Sequence, residues 1–325
     1  MRKNIARGLL AICLSAAAFT AKAQPAIPRE YIEYPGFSLG MNFGLADLWG
    51  DVGTQGLLDH YANGKYFDKP MFMGGIFGRY VSHPSIGWRL NLNYGTLYAT
   101  DQWNEKKAKK AKTVEEDAYQ RYLRNQDVKT NIWEGSVMIE VLPLRFNSEN
   151  PSADNRLQPY AIAGIGLFHA NPSTSYIDPY SGRRKWVEIN DLRLEGEGNS
   201  YSEAVPSFAR KTKEFQIAFP VGLGLRYDVN SELAVGVEYS YRFTMTDRLD
   251  AVSSEYPTDA YYDKYLSPED AELAKALVDK MWEIDPSVER KAWATRGNKD
   301  VLDGYSTFSV MLIYKLNKNK EPWWY

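Results

Sequence analysis

Cysteine is almost missing from this 325-residue chain: the single one is Cys13, within the first 23 residues. If that segment is removed, no internal disulfide and no cysteine-based metal site remain. Histidine is scarce as well. His60, His83 and His169 are the three, and none has a neighbour at metal-ligand spacing. Net charge is only −2, which does not favour a nucleic-acid partner. Beyond the N-terminus there is no run of about 18 apolar residues, so no bilayer-spanning helix is expected. Strands could still cross, because each carries apolar residues only at alternate positions. "GIG" and "GLG" occur inside strand-like runs with no helix following, which excludes dinucleotide loops. No cofactor or metal site is read from the chain.

The N-terminus has a positive start (Arg2, Lys3, Arg7), a short apolar run from Gly8 to Phe19 and the small-x-small triplet Ala21-Lys22-Ala23. This pattern predicts a secretory signal peptide over residues 1–23 with cleavage before Gln24. Ile12 is too bulky for a lipoprotein box at Cys13. An exported chain of this size without disulfides suggests a bacterial envelope protein.

Alternation dominates the rest. Ile86, Trp88, Leu90, Leu92 and Tyr94 form one face of a run and Gly87, Arg89, Asn91, Asn93 and Gly95 the other. Similar runs lie at 36–45, 72–82, 131–142, 158–168, 214–229, 233–243 and 307–316. About eight strands of roughly ten residues match tilted bilayer-crossing strands. Connections alternate between short turns ("HPS", "NSE", and Phe146–Arg156) and long loops: Ala46–Met71, Asp101–Lys129, His169–Lys213 and Met245–Gly304. Short turns on one side and long loops on the other is the outer-membrane barrel pattern. The predicted fold is all-β: an eight-stranded antiparallel up-and-down transmembrane barrel with four long extracellular loops, at least one partly helical. The expected division is residues 24–35 as an N-terminal periplasmic segment, 36–316 as the barrel and 317–325 as a periplasmic tail.

The polar face is expected inside. It is rich in glycine (Gly40, Gly44, Gly87, Gly95, Gly222, Gly224, Gly236), which suits a narrow lumen that must hold large side chains. It carries both charge signs: Arg79, Arg89, Arg226 and Arg242 with Glu134, Glu140 and Glu238. Buried charge has to be paired, so a plug of Arg–Glu pairs follows. Aromatics are 14% of the chain and gather at strand ends. Tyr80, Trp88 and Tyr227 flank the short turns; Tyr98, Trp133, Phe215, Tyr241 and Phe243 lie toward the long loops. Two belts would fit two membrane interfaces. A soluble lipocalin-like barrel with an apolar cavity is the disfavoured alternative.

Within the loops, "SPEDAELAKALVDKMWEI" predicts a helix capped by Ser267, with Pro268 in its first turn and Leu273, Ala276, Leu277 and Trp282 on an apolar face. Residues 104–126 read as charged and helical; their basic run, Lys106 to Lys112, is either a solvated face, the favoured reading, or a contact with lipopolysaccharide phosphates. "EYPTDAYYDKY", Glu255–Tyr265, could be a contact surface. His169 with Ser173 or Ser175 is the one constellation that could serve a lipid-modifying enzyme, but neither a positioned base nor its orienter is visible. No enzyme activity is expected.

Several segments, in order along the chain, resemble the PorG-type outer-membrane barrels of the Bacteroidota type IX secretion system. They are "LGMNFGLADLWGDVG" (39–53), "GRYVSHPSIGWRLNLNYGTLYATD" (78–101), "QPYAIAGIGLFHANP" with "NDLRLEGEG" (158–198), "MTDRLDAVSSEYPTD" (245–259) and "RGNKDVLDGYSTFSVMLIYKL" (296–316). The Leu-Asp-x-Val-Ser and Arg-Gly-Asn segments are the most specific. The loops 101–129 and 245–304 are embellished, and "EGEG" replaces a glutamine-containing form. The resemblance implies a non-enzymatic anchor that links a periplasmic ring, made of a lipoprotein and its partner, to the outer membrane. Lys318, Lys320, Trp323, Trp324 and Tyr325 of the tail are then candidate partner contacts, and the aromatic ones could equally anchor the last strand. A surface adhesin or structural barrel, a small channel and, less so, a lipid-modifying enzyme are the rival readings.

Overall fold

The computed structural model describes residues 36–53, 69, 71–146, 156–178, 181–196, 215–230, 232–288 and 291–316. The expected signal peptide, the 24–35 segment and the 317–325 tail lie outside these residues, as does His60.

Among the described residues nine strands form: β1 (Gly36–Trp49), β2 (Phe72–His83), β3 (Ile86–Thr100), β4 (Asp127–Val141), β5 (Leu157–Ile177), β6 (Arg184–Glu188), β7 (Phe215–Asp228), β8 (Leu233–Thr244) and β9 (Gly304–Lys315). Every pairing is antiparallel, and eight strands close on themselves through β1–β9 and β4–β5. β6 stands outside that ring, pairing only with the far end of β5 from Ser173 to Ile177. Closure leaves no unpaired edge in the eight-stranded ring, the condition a spanning sheet must meet.

The alternation resolves as expected. In β3, Trp88, Leu90, Leu92 and Tyr94 are 45–58% exposed, whereas Arg89, Asn91 and Asn93 are 2–3% exposed. Outward rows on other strands (Phe37, Leu39, Met41 and Phe43; Phe219, Val221 and Leu223; Phe308, Val310 and Leu312) are likewise exposed and apolar. Such a belt is a liability in water and the required surface in lipid. Two of the lumen glycines have a visible cause. A Cβ on Gly40 would sit 2.2 Å from Phe77 Cζ, and one on Gly224 would sit 2.1 Å from Tyr160 Cζ, so each glycine is the floor beneath an inward ring.

The short turns are fixed locally. Asn230 Oδ1 accepts from the Glu232 and Leu233 amides at 2.8 and 2.7 Å, and His83 Nδ1 accepts from Ser85 N at 3.2 Å. At the opposite end the loops pack into a cap whose described residues include the helices α1 (Glu105–Ala108), α2 (Asp117–Arg124), α3 (Asp259–Tyr265) and α4 (Pro268–Val278). Ser267 caps α4 by accepting from Asp270 N at 3.2 Å. Of the expected face, Leu277 is buried and Leu273 is half-buried against the same cluster, but Ala271, Ala274 and Val278 complete the buried face in place of Ala276 and Trp282. The helix ends at Val278, so Trp282 falls in a following 3-10 turn and is half exposed. Tyr261 and Tyr262, in the segment that could have been a contact surface, are buried against that face.

Two further expectations need correction. The alternation predicts an end to β5 at Phe168, but the strand continues to Ile177 because β4 and then β6 pair with its polar half. That half stands above the apolar belt and is covered by protein, so no apolar period marks it. The aromatic belts place Tyr98 at a membrane interface. It is instead buried, packed on Met71 and edge-on to Trp103 and Trp186 at 5.8 and 6.0 Å. The outward row of β3 has by then left the exposed belt and runs beneath loop residues. Tyr80, Trp88, Trp133, Phe215 and Phe243 are exposed on the outer wall, and Tyr227 and Tyr241 are half-buried there.

Candidate functional site

The inward charges form tiers. Nearest the short turns, Asp228 receives Lys315 Nζ at 2.8 Å and Arg145 Nη2 at 3.3 Å. Next, Glu140 takes a two-point grip from Arg79 at 2.9 and 3.0 Å, with Arg226 Nη1 3.5 Å away. At mid-height Glu238 accepts from Arg89 Nη2 at 2.8 Å and from Tyr160 Oη at 2.9 Å, while the Arg89 guanidinium lies 5.1 Å above the Phe77 ring. Above it Glu134 accepts from Arg242 Nε (3.0 Å), Tyr305 Oη (2.7 Å), Ser136 Oγ (3.0 Å) and Asn93 Nδ2 (3.3 Å). All seven residues singled out as a lumen network lie inside the barrel and are buried. Asp228, Arg145 and Lys315 join them. Sequence reasoning missed these three because each lies at or beyond a strand end, where alternation fades.

Desolvating an ion is costly, and a buried pair is tolerated only when its remaining donors and acceptors are also met. The four donors on Glu134 meet that demand. Over the top tier sits an apolar plug of Leu48, Leu97, Val128, Ile132, Phe168, Leu249, Val252 and Tyr305. Leu249 and Val252 come from the loop after β8, so the cap itself closes the barrel.

The cap is where the resemblance segments meet. Glu195, from "NDLRLEGEG", accepts from Ser253 N (2.9 Å), Ser254 N (3.0 Å), Ser254 Oγ (3.1 Å) and Arg296 Nη1 (2.6 Å). Ser253 and Ser254 belong to "LDAVSS" and Arg296 to "RGN". Arg296 Nη1 also donates to the Ala251 carbonyl at 2.7 Å. Asp51, from "WGDVG", accepts from Asn298 N at 2.5 Å. A Cβ on Gly297 would lie 2.5 Å from that same Asp51 carboxylate, so the middle residue of Arg-Gly-Asn must be glycine. Asp250 accepts from Val52 N and Val252 N at 2.8 and 2.9 Å, and Asp303 from Leu249 N at 2.7 Å. A second junction ties the embellished loop down: Lys280 Nζ donates to Asp127 at 2.6 Å and to Thr174 Oγ1 at 2.8 Å.

These acids crowd one another away from water. Burial and the neighbouring carboxylates raise Asp250, Asp303 and Asp51 above the usual range. Asp247 is pushed up to about 8, chiefly by burial. Burial lowers Lys280, with Asp127 opposing it.

The histidine–serine constellation is not assembled. His169 packs against Phe215 with centroids 5.6 Å apart and planes tilted by 58°, whereas Ser175 Oγ donates to Asp127 and accepts from Arg184 at 2.8 Å. At about 3.3 Å rise per residue, the four to six positions between His169 and either serine exceed hydrogen-bond reach several-fold.

The family model for the outer membrane protein beta-barrel domain matches residues 9–260. The chain belongs to this family. It is accordingly an outer-membrane barrel, and the apolar outer belt is its lipid-facing surface. Among solved structures, this member of the family is similar to a major outer membrane protein from Thermus thermophilus (10% identity, TM-score 0.35, covering 87% of this chain and 100% of that one). It is also similar to Ail, the attachment invasion locus protein of Yersinia pestis (9%, 0.34, covering 87% and 99%). A third likeness is to Neisserial surface protein A (9%, 0.33, covering 86% and 97%). None of the curated proteins matches the chain.

Proposed function

We propose that this barrel is a non-enzymatic accessory of the type IX secretion machinery, anchoring a periplasmic ring to the outer membrane. In this reading the short turns and both termini are periplasmic and the long loops extracellular. The carrying observation is the convergence at Glu195 and Asp51. Four segments that resemble the PorG-type barrels are bound to one another by these two acids. The filled lumen suits a static anchor better than a pore. Partners on the periplasmic side would be the ring lipoprotein and its companion, met by the short turns and by Lys318, Lys320, Trp323, Trp324 and Tyr325. The exposed lysines 106–112 stand where lipopolysaccharide phosphates could be met.

The test is gentle extraction and affinity purification from the native membrane, with cross-linking from the tail. Ring components should co-purify and cross-link. A barrel that purifies alone, in cells whose secretion survives deletion of its gene, would refute the reading. A surface adhesin is the second reading, favoured by the long loops packing into one firm platform around α4. Trimming that platform should then abolish attachment and spare secretion.

A further inference from the structure

At the long-loop end a cavity of about 850 Å³ opens between α2, the end of β1 and residues 294–303. Its size is that of a small-ligand site. One wall is aromatic. The Trp49 and Tyr241 rings stand edge to face at 6.0 Å, and the Trp49 indole is fixed by its N–H donating to Ser306 Oγ at 2.8 Å. Val301 and Leu302 extend that wall and are exposed.

The facing wall is α2, with Asp117, Gln120, Arg121 and Arg124. Its two guanidiniums differ. Arg124 is fully committed: Nε and Nη2 grip Asp101 at 2.8 and 2.9 Å, Nη2 reaches the Asp51 carbonyl and Nη1 the Arg296 carbonyl. Arg121 places Nε on the Asp117 carboxylate and Nη1 on the Asp51 carbonyl, while its Nη2 makes no hydrogen bond among the described residues. Asp117 is 74% exposed and the Arg121 side chain 11%, so the carboxylate end of the pair meets solvent while the guanidinium is largely enclosed by the cavity wall. The Gln120 amide donates to the Val114 carbonyl and leaves its own oxygen to accept.

We propose that this cavity binds a uronic acid unit, free or terminal in a longer glycan. The C–H face of the sugar lies on Trp49 and Tyr241, its carboxylate on Arg121, and its hydroxyls donate to Asp117 and the Gln120 oxygen. A carboxylate oxygen on the remaining Nη2 gains one charge-assisted hydrogen bond. A flat aromatic acid would also meet Arg121 but has no hydroxyl to donate to Asp117 or the Gln120 oxygen, and so forgoes those hydrogen bonds.

The experiment uses the full chain in detergent micelles, read by tryptophan fluorescence and calorimetry. Probes are glucuronate, galacturonate, a galacturonate trimer, glucose and benzoate. At least one uronate probe should bind saturably in the millimolar range or tighter, with glucose and benzoate about tenfold weaker or more. Arg121→Gln should lower uronate affinity about tenfold, the loss of one charged contact, while leaving glucose unchanged. Arg121→Lys, which keeps the charge, should recover part of it. Heat-dependent gel mobility checks that each variant folds. No saturable signal with any uronate, equal binding of glucose or benzoate, or an Arg121→Gln variant that binds like the parent would each overturn the proposal. The purified chain needs no secretion partner for this measurement, so its failure and failure of the anchoring role are separate results.

Discussion

Replacing Glu195 with alanine should release the cap without opening the barrel. The side chain is buried and accepts two backbone amides, one hydroxyl and the Arg296 guanidinium, with Arg248 3.8 Å away. Alanine strands a buried arginine and two amides at once. Removing one partner of a buried ion pair costs about 3–5 kcal/mol. The cost falls locally, because Ser253, Ser254, Arg248 and Arg296 all belong to the loop after β8. Since about 1.4 kcal/mol is a factor of ten, amide protection across 249–254 and 296–298 should drop roughly 10²- to several 10³-fold. Glu195→Gln keeps one acceptor oxygen and should cost less than alanine. The assay is hydrogen exchange with mass spectrometry in micelles, comparing cap peptides with β3 and β7 peptides of the same sample. Unchanged cap protection in Glu195→Ala, or a loss spread evenly over cap and barrel, would refute the idea that this carboxylate is the local tie.

Other outcomes follow from the same geometry. Glu134→Ala should lower the barrel's heat-dissociation temperature, while the paired change Glu134→Gln with Arg242→Met should recover most of it, since glutamine keeps an acceptor for Tyr305, Ser136 and Asn93 and no unpaired charge is left buried; gel mobility after heating checks this. Gly224→Val should cost folding yield because its Cβ overlaps Tyr160, and adding Tyr160→Ala should restore yield; recovery in refolding into micelles is the measure. Asp303 and Asp247 hold their protons in the folded cap at pH values where an unfolded aspartate, near about 3.9, has lost them. Their contribution to cap stability is therefore full below about pH 4 and is lost as pH rises through the folded values, about 8 for Asp247. Asp303→Asn should slow proteolysis of the 245–254 segment at about pH 8 and have little effect at about pH 4 or below. An equal effect at both would contradict the assignment.

The membrane-height part of the molecule was legible because one physical demand, lipid outside and paired charge inside, is imposed on every second residue. Arg89, Glu134 and Arg242 could be placed inside from alternation alone. Their partners could not: Arg89 meets Glu238 and Arg242 meets Glu134 across the lumen, contacts that no spacing encodes. Above the membrane the demand lapses. Tyr98 continues a lipid-facing row in sequence yet is roofed by Trp103 and Trp186. Residues 169–177 form a strand with no apolar face to announce it. The cap was half legible. "WGDVG", "LDAVSS", "EGEG" and "RGN" stand out by resemblance, but that Asp51 and Glu195 bind them into one junction is a fact of three-dimensional closure.

The crossing ion pairs also constrain how the barrel is made. Arg89 on β3 finds its acid on β8, and Arg242 on β8 finds its own on β4. While the sheet is still an open ribbon, these arginines and glutamates have only water for company. Each must keep that water until the seam between β1 and β9 zips shut, and must surrender it in the same event. Seam closure and drying of the interior are then one step, so a half-curled ribbon has no dry resting state. Whatever holds the nascent ribbon must hold it wet until the last strand arrives.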